Sequence, residues 1–297
     1  NIVYSLTEIT NLRASYSQTI ARPSFKELSY AEIYDPVSGR TFVGGLFRDA
    51  NDADGIVYWD GNLRSSDIHN FDIRYEIFQD NGRTISLGGF YKRFLNPIEI
   101  IQYATQPGAF QPRNVGDGQV FGGELEFSQS LRPFSETLKN LRVNANITVA
   151  ESRIKLSQTE YESRLANARE GQSVGAYRDM AGQAPYIVNA GFAYGGSKKG
   201  FADGLEAGIY YNVQGTTLQY VGMVDRPDVY ARPFHSMNVN ANKGFGEKKK
   251  VQVGIKVENI LSDIRESVFQ SFNAQDQFFT RLSPGMTFNV RLKYNFF

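Results

Sequence analysis

Apolar and polar residues alternate one by one in many segments of this chain, from its first residues to its last. In one such segment the alternating apolar residues are Leu141, Val143, Ala145, Ile147 and Val149. A period of two places successive side chains on opposite faces of a β-strand, whereas an amphipathic helix needs a period near 3.6. The sequence therefore predicts an all-β protein whose strands each have one apolar face and one polar face.

Eleven segments carry this pattern and are predicted as strands. They are residues 2–7, 12–20, 71–78, 84–94, 121–131, 141–149, 186–194, 205–213, 237–245, 251–257 and 288–296. A tilted strand crosses a membrane with about 9–11 residues. Because the segments 141–156 and 205–221 are longer, we expect their hairpins to project beyond the membrane. Alternation is lost at residues 88–90, Gly-Gly-Phe, which predicts a β-bulge there.

Short and long connections between these strands alternate strictly along the chain. The short ones are residues 8–11, 80–83, 132–140, 195–204 and 246–250, and the long ones are 22–66, 95–118, 157–184, 222–233 and 261–283. A soluble sandwich has no reason to place every long loop at one end, but an outer-membrane barrel has short periplasmic turns and long outer loops. The predicted fold is therefore an antiparallel transmembrane β-barrel.

The composition agrees with a barrel and excludes several other classes of protein. The chain has 22 Phe, 17 Tyr and 28 Gly, as a sheet between lipid and water requires. Its 32 basic and 31 acidic residues nearly cancel, which argues against nucleic acid as a partner. Cysteine is absent, and the only two histidines, His69 and His235, are far apart. These observations leave little basis for an imidazole-based catalytic site, and we predict no catalytic residues.

The strand count predicts that residues 1–297 are the C-terminal part of one larger barrel domain. Bacterial single-chain barrels have even strand numbers, and eleven is odd. An open sheet edge in lipid would leave unpaired backbone groups that cost several kcal/mol each. The final strand ends at Phe297. We therefore expect the missing barrel half to lie N-terminal to this chain.

Several short segments resemble the C-terminal barrel half of TonB-dependent outer-membrane receptors of the Bacteroidetes type. They are NLRASYSQTIARPSFKEL (11–28), HNFDIRYEIF (69–78), GGFYKRFLNPIE (88–99), VFGGELEF (120–127), APYIVNAGFAY (184–194), YYNVQG (210–215), KVENIL (256–261) and VRLKYNFF (290–297). The resemblance implies a 22-stranded barrel with a plug domain in its lumen. Counted back from the last strand as number 22, this chain begins in strand 12.

The same resemblance implies a receptor in the outer membrane of a Gram-negative bacterium. Such a receptor binds a scarce, bulky nutrient, namely a siderophore, haem, cobalamin or an oligosaccharide, and imports it with energy from TonB. The TonB complex would contact an N-terminal region that is absent from these residues. Further implied partners are outer-membrane lipids, the barrel-assembly machinery and a surface lipoprotein. The loop signatures of the SusC glycan importers are missing, so that subgroup stays an alternative.

Two other functions remain open on the sequence alone. One is a receptor-like barrel that serves as a structural subunit of an outer-membrane assembly and transports nothing. The other is an outer-membrane enzyme of the phospholipase or protease type, which would need a Ser/His/acid or paired-Asp group at the rim. The first is distinguished from a transporter by whether the N-terminal region contains a TonB-contacting segment.

The first long loop contains a candidate solute-binding group, Tyr58, Trp59 and Asp60. An exposed Trp can stack on a ligand ring while the neighbouring carboxylate accepts hydrogen bonds. The alternative is that these residues pack the loop or belong to an aromatic girdle.

Three carboxylates in the same loop, Asp49, Asp52 and Asp54, form a candidate Ca²⁺ site. Hard cations prefer clustered oxygen ligands, although the spacing is not that of an EF-hand. The alternative is a solvated loop. No other cofactor is predicted.

The C-terminal residues Tyr294, Phe296 and Phe297 are predicted to be the signal for the barrel-assembly machinery. Charged residues on the polar faces of the strands are expected to form ion pairs across a wet lumen. They are Arg74, Glu76, Glu124, Glu126, Arg142 and Arg291.

Overall fold

A computed structural model describes residues 1–80, 82–195, 200–246 and 249–296. These residues form 22 strands, one α-helix and two 3₁₀ turns. The strands are β1 (Ile2–Thr7), β2 (Thr10–Ala21), β3 (Glu32–Asp35), β4 (Arg40–Val43), β5 (Asp49–Asn51), β6 (Ile56–Trp59), β7 (Ser66–Gln79), β8 (Arg83–Leu95), β9 (Ile98–Gln102), β10 (Ala109–Asn114), β11 (Gly118–Ser130), β12 (Leu141–Lys155), β13 (Tyr177–Arg178), β14 (Tyr186–Tyr194), β15 (Leu205–Gln214), β16 (Thr217–Tyr220), β17 (Asp228–Ala231), β18 (Ser236–Phe245), β19 (Val251–Glu258), β20 (Arg265–Gln270), β21 (Gln277–Leu282) and β22 (Thr287–Tyr294). The helix is α1 (Gln158–Ala166), and the 3₁₀ turns are Glu136–Leu138 and Gly200–Ala202.

Eleven long strands form one antiparallel sheet, which we call the wall. Its order is β1-β2-β7-β8-β11-β12-β14-β15-β18-β19-β22, and the two-residue strand β13 extends it beside β12. Each strand pairs with the next wall strand along the chain. All eleven strands predicted from the alternation are therefore confirmed, in the predicted antiparallel arrangement.

The apolar face of the wall is exposed. Leu87, Leu125 and Val290 have 59%, 42% and 77% of their surface accessible. Burial of such side chains is worth about 1.5–3 kcal/mol each, so a whole face of them is stable only against lipid. The opposite face carries the polar residues and corresponds to the lumen.

An aromatic row marks the outer end of the apolar face. Tyr16, Phe71, Tyr91 and Phe121 are register partners across β2, β7, β8 and β11. The Tyr16 and Phe71 ring centroids are 4.9 Å apart, and those of Phe71 and Tyr91 are 6.2 Å apart. The next outward-facing row is polar and consists of Gln18, His69, Arg93 and Gln119. This change from aromatic to polar side chains is typical of a membrane–water interface.

Two details of the predicted strands are wrong. Strand β8 pairs with β7 and β11 without a register shift, so the predicted bulge is absent. Phe90 lies on the lumen face, where its ring covers Gly122, and the outward face keeps its phase. The segment 205–221 is not one strand, because β15 ends at Gln214. A Cβ atom at Gly215 would lie 2.8 Å from the Tyr186 ring, and the chain turns there into another sheet.

The five long connections fold together at one end of the wall into what we call the cap. The cap comprises residues 22–65, 96–117, 156–185, 215–235 and 259–286. It contains the sheets β3-β4-β10-β9, β16-β17-β20-β21 and β5-β6, and the helix α1. Both four-stranded sheets combine strands from two different connections. The loops therefore support one another and are not separate hairpins.

The cap has its own hydrophobic core. Ile101, Leu218 and Val221 are each at most 3% exposed and belong to one buried cluster, which also includes Ile154 from the cap end of β12. A second cluster contains Phe110, Val229 and Phe279, whose rings and methyl groups come from three connections. The wall thus continues into a packed cap at its outer end.

No helix in the described part of the chain has the length and apolar character needed to cross a membrane.

Candidate functional site

The cap contains a cleft of about 280 Å³. Its walls come from the connections that follow β12, β15 and β19. Four arginines line it, Arg164, Arg169, Arg178 and Arg226, against two aspartates, Asp225 and Asp228. Guanidinium groups in such a lining that are not held by carboxylates favour anionic groups on a ligand.

Helix α1 positions one of these arginines. The helix begins after Ser157, whose hydroxyl accepts a hydrogen bond from the Glu160 backbone N–H at 3.1 Å. An N-cap serine satisfies a free donor of the first turn and fixes where the helix starts. Arg164 follows Glu160 by four residues, so both side chains lie on one face, and their charged groups are 3.1 Å apart.

A buried charge network lies behind the cleft. Arg178 contacts Glu160 at 2.6 Å and Glu99 at 2.7 Å, and all three side chains are buried. Arg164 extends the network by a two-pronged contact with Asp228, at 2.9 and 3.1 Å. The network thereby connects three of the five cap segments. Removing one partner from such a network leaves a buried charge uncompensated.

Burial sets the protonation behaviour of this network. Burial raises the pKa of the Glu99 carboxyl, and the nearby Arg178 guanidinium and the Ala181 backbone N–H oppose that rise. For Arg178, burial alone would lower the pKa, but the adjacent Glu99 and Glu160 carboxylates raise it above its ordinary value. Arg178 is therefore a permanent cation, and Glu99 is the member of the pair that holds its proton more tightly than usual.

Two arginines of the cleft make fewer carboxylate contacts than Arg164 and Arg178 do. Arg169 donates to the Phe272 carbonyl at 3.2 Å. Arg226 donates to a backbone carbonyl, and its nearest carboxylate is the exposed Asp225 at 3.9 Å. These two guanidinium groups are the ones in the cleft that can pair with an incoming anion.

The predicted solute-binding group lies outside the cleft. The Trp59 indole N–H donates to the Gly45 carbonyl at 2.7 Å, and the ring is partly buried. Tyr58 packs against the cap core, while Asp60 is exposed and caps the following turn at Asn62. The three residues line none of the cleft. Their role in solute binding stays a prediction, and the contacts present here are those of loop packing.

The predicted calcium ligands are separated by the fold. Asp49 is fully buried, forms an ion pair with Arg113, and accepts hydrogen bonds from the Ala104 and Thr105 backbone N–H groups at 2.6 and 3.1 Å. Asp52 and Asp54 lie at the loop surface. Within the described residues no three His, Cys, Asp or Glu side chains converge in a way that could hold a metal. The calcium hypothesis stays a prediction that rests on Asp52 and Asp54.

The ion pair of Asp49 joins two segments of the cap, which no motif in the sequence indicates. Arg113 lies on β10 and Asp49 on β5, so the pair connects the first long connection to the second. Burial lowers the pKa of the Arg113 guanidinium, and Asp49 opposes that change. The 64 residues between them explain why no local sequence pattern indicates the pair.

The lumen face of β2, β7, β8 and β11 is charged, and we call it the ionic sector. Arg74 contacts Glu124 at 3.1 Å and Glu126 at 3.7 Å, and Arg13 contacts Glu76 at 2.7 Å. The Arg74 side chain crosses Gly88, the residue between it and Glu124 in the same row. The predicted ion pairs across the lumen are confirmed for these residues.

Two predicted lumen charges meet neutral partners instead. Arg142 donates to the Ser128 hydroxyl at 3.0 Å, and Arg291 donates to the Asn242 side-chain oxygen at 3.4 Å. Asn242 belongs to a group of asparagines on the lumen face of this part of the wall.

These asparagines form what we call the amide sector, on the lumen face of β12, β14, β15 and β18. Its members include Asn144, Asn146, Asn189, Asn212, Asn238 and Asn240. Asn146, Asn189 and Asn212 are register partners in one row, and the Asn212 amide donates to Asn189 at 2.6 Å. The sequence contains these residues in plain alternation, but only the register shows that they adjoin.

At the C-terminus, Tyr294 ends β22, and its ring meets that of Phe296 edge to face at 4.9 Å. Phe297 lies outside the described residues. The assembly signal therefore stays a prediction.

Comparison with known protein families gives a match over most of the chain. Residues 1–260 match the family model described as TonB dependent receptor-like, beta-barrel. No curated protein matches the sequence at a significant level.

Solved structures similar to this chain include three receptors and transporters. The copper transporter OprC has a TM-score of 0.60 at 16% identity, with 98% of this chain and 38% of that chain covered. A ferric enterobactin receptor mutant of Pseudomonas aeruginosa, solved with enterobactin, has a TM-score of 0.56 at 17% identity, with 98% and 39% covered. The ferric citrate transporter FecA without ligand has a TM-score of 0.56 at 14% identity, with 98% and 37% covered.

This chain thus spans less than two fifths of the length of these structures. At such identities the likeness concerns the fold.

Proposed function

The chain belongs to the TonB-dependent receptor β-barrel family, and we propose that it is part of an outer-membrane receptor that binds a bulky nutrient in the cap and imports it with energy from TonB. The observation that carries the proposal is the arginine-lined cleft, built from three outer connections at the end of a lipid-facing wall. The chemistry of the site is binding and gated passage, and no group in it is assigned to catalysis.

The proposal includes the expectations about the rest of the receptor. A plug and the N-terminal barrel half precede this chain in a longer protein, and TonB contacts that N-terminal region. The assembly machinery inserts the barrel in the outer membrane of a Gram-negative bacterium, and a surface lipoprotein is a further partner. An intact mass of two to three times 33.4 kDa for the detergent-extracted protein would support this arrangement.

The arginines of the cleft favour an anionic solute over an uncharged one. The Arg169 guanidinium contacts a backbone carbonyl, and that of Arg226 has only a long ion pair, at 3.9 Å, with the exposed Asp225, which suits carboxylate, catecholate or phosphate groups on a ligand. Solved relatives of similar fold are named for copper, ferric enterobactin and ferric citrate. We therefore propose an anionic metal complex of the siderophore type, in preference to an uncharged oligosaccharide.

The experiment compares the compounds that cells remove from their medium. A deletion strain is complemented with the wild-type gene, with an Arg169→Ala/Arg226→Ala double variant, or with Arg48→Ala, which removes an exposed arginine outside the cleft. Mass spectrometry of the spent medium then identifies what each strain leaves behind.

We expect the deletion strain to leave at least one metal complex in the medium, and the double variant to take it up at least tenfold more slowly than wild type. The Arg48→Ala strain should match wild type. If the deletion strain removes the same compounds as wild type, import is wrong and a structural role in the outer membrane replaces it.

A further inference from the structure

The two lumen sectors of the wall differ in a way that bears on the route of the solute. In the amide sector, the lumen-facing residues between the cap and the level of Arg142 are all uncharged. In the ionic sector, the corresponding rows contain Arg13, Asp72, Arg74, Glu76 and Glu124.

The cleft stands above only one of these sectors. Its lining comes from the connections that follow β12, β15 and β19, and the first two of these strands belong to the amide sector. The connections that follow β2 and β8, in the ionic sector, contribute no residue to the cleft. A solute released downward from the cleft therefore meets the amide sector first.

A tyrosine ring lies flat on the wall in the middle of the amide sector. A Cβ atom at Gly191 would be 2.7 Å from the Tyr210 ring, and one at Gly208 would be 2.5 Å from its hydroxyl oxygen. The two glycines thus allow the ring to lie along the wall, where it covers them. A cavity of about 250 Å³ remains beside the ring, lined mainly by uncharged residues such as Asn146, Asn189 and Asn212, with Glu126 of β11 at the border to the ionic sector.

Uncharged amides are well suited to a passage. Each amide offers both donors and acceptors, so it can exchange water for a hydroxyl or amide group of a solute. Conduction also requires contacts that are weak enough to release the solute. The ionic sector contains the ion pairs Arg13–Glu76 at 2.7 Å and Arg74–Glu124 at 3.1 Å, and Asp72, which among the described residues has a hydroxyl partner only. Fixed charges bind a charged group more strongly than neutral amides do.

We propose that the solute passes along the amide sector, between β12 and β18, and that the ionic sector is the closed side of the lumen. The passage contacts hydroxyl and amide groups on the perimeter of the solute, while the arginines of the cleft hold its anionic groups. This inference rests on the proposed function, because it assumes energised import past a plug.

This sequence contains no cysteine, so a cysteine introduced here is the only one among residues 1–297, and the full-length receptor without it gives the background labelling. Single cysteines are placed in the full-length receptor in cells, as Asn212→Cys in the amide sector and as Ser15→Cys in the ionic sector. Ser15 is a matched control because it also faces the lumen and makes a side-chain hydrogen bond, to Asp72 at 3.3 Å. The probe is fluorescein maleimide, added outside the cells with or without a protonophore that removes the energy for TonB.

We expect Asn212→Cys to react at least threefold faster in energised cells than with the protonophore, and Ser15→Cys to react at the same slow rate in both. Asn146→Cys is the second amide-sector position, in case Asn212→Cys assembles poorly. If Ser15→Cys responds as strongly as the amide-sector cysteines, or more strongly, the proposed route is wrong while energised import stands. If no position responds to the protonophore although all variants are assembled, energised import is wrong and the route is wrong with it.

Discussion

The wall and the cap use the same kinds of apolar residue for opposite purposes. On the wall, Leu125 and Val290 are 42% and 77% exposed, whereas in the cap Leu218 and Val229 are 2% and 0% exposed. The first pair faces lipid, and the second pair packs against other side chains of the protein. The residue type alone therefore does not show whether an apolar side chain of this protein meets lipid or other side chains, since its neighbours decide that.

Charges show the same contrast. Wall charges such as Arg74 and Glu124 remain more than a third exposed in a wet lumen, while the cap charges Arg178 and Glu160 are buried. Exposed ion pairs contribute roughly 0–1 kcal/mol, but breaking a buried pair costs roughly 3–5 kcal/mol. The cap should therefore be much more sensitive than the wall to the loss of one charged group.

The largest expected effect comes from Arg178→Met. The variant leaves the buried Glu99 without its arginine and the buried Glu160 with Arg164 alone, which we expect to destabilise the cap by about 3–5 kcal/mol. Hydrogen exchange of the protein in detergent, followed by mass spectrometry, should show faster exchange in cap peptides and unchanged exchange in wall peptides.

The control for this variant is Arg153→Met, at an exposed ion pair with Glu151 on the outer face of β12. Arg153→Met should change the free energy of opening, as derived from hydrogen exchange, by no more than about 1 kcal/mol. Equal effects of the two variants would contradict the distinction between buried and exposed networks.

The next effect tests packing. Ile154 is 0% exposed at the junction of β12 and the cap, so Ile154→Ala should cost about 2–5 kcal/mol in cap stability through a cavity. Ile255→Ala removes the same atoms from a side chain that is 48% exposed on the outward face of β19, and should cost much less. Thermal unfolding followed by near-UV circular dichroism would measure both, and similar losses would argue against a packed cap core.

A third effect tests which solvent the wall faces. Leu125→Arg places a charge on the lipid face in the middle of β11 and should cost about 2–4 kcal/mol on transfer to a bilayer. Asn146→Arg, its lumen-facing counterpart on β12, should fold into vesicles as well as wild type. Folding yield in phosphatidylcholine vesicles measures the difference, and equal yields would show that Leu125 does not face lipid.

The smallest effect is a pH dependence confined to the cap. Because the Glu99 pKa is raised in the folded state, the folded cap binds this proton more tightly than the unfolded chain does. The stability contributed by the protonated carboxyl is complete below the ordinary value of 4.5 and is lost as the pH rises through the raised pKa.

The stability of wild type relative to Glu99→Gln should therefore decrease as the pH rises from 4.5 toward neutral. Hydrogen exchange of cap peptides, corrected for its intrinsic pH dependence, measures this difference. A relative stability that increases with pH would contradict the raised pKa.

The sequence was sufficient for the wall because each wall strand carries its own pattern. Alternation in the segment 141–149 indicates a strand whichever strands lie beside it, and all eleven were found in this way. The bulge predicted at residues 88–90 failed because Phe90 is a large apolar residue on the lumen face, where it covers Gly122. The alternation in the sequence cannot distinguish a large apolar residue on the lumen face from a β-bulge that shifts the pattern by one residue.

The cap could not be predicted in the same way, because its contacts are long-range. Glu99 meets Arg178, and Arg164 meets Asp228, at sequence separations of 79 and 64 residues, and no local pattern links the partners. The sequence marked Trp59 and Asp49 as functional from their residue types alone. In the structure both make contacts that support the loops, and the arginines of the cleft became visible only when three connections were brought together.

The two four-stranded sheets of the cap, each built from two connections, limit which segments such a receptor can exchange with its relatives. Strand β4 pairs with β10, and β17 pairs with β20, so each sheet is completed by a second connection. A graft of residues 22–65 alone would leave Arg113 without Asp49, and a graft of 156–185 alone would leave Glu99 and Asp228 without their arginines. Recombination between receptors, or deliberate engineering of a new specificity, has to transfer these connections in blocks.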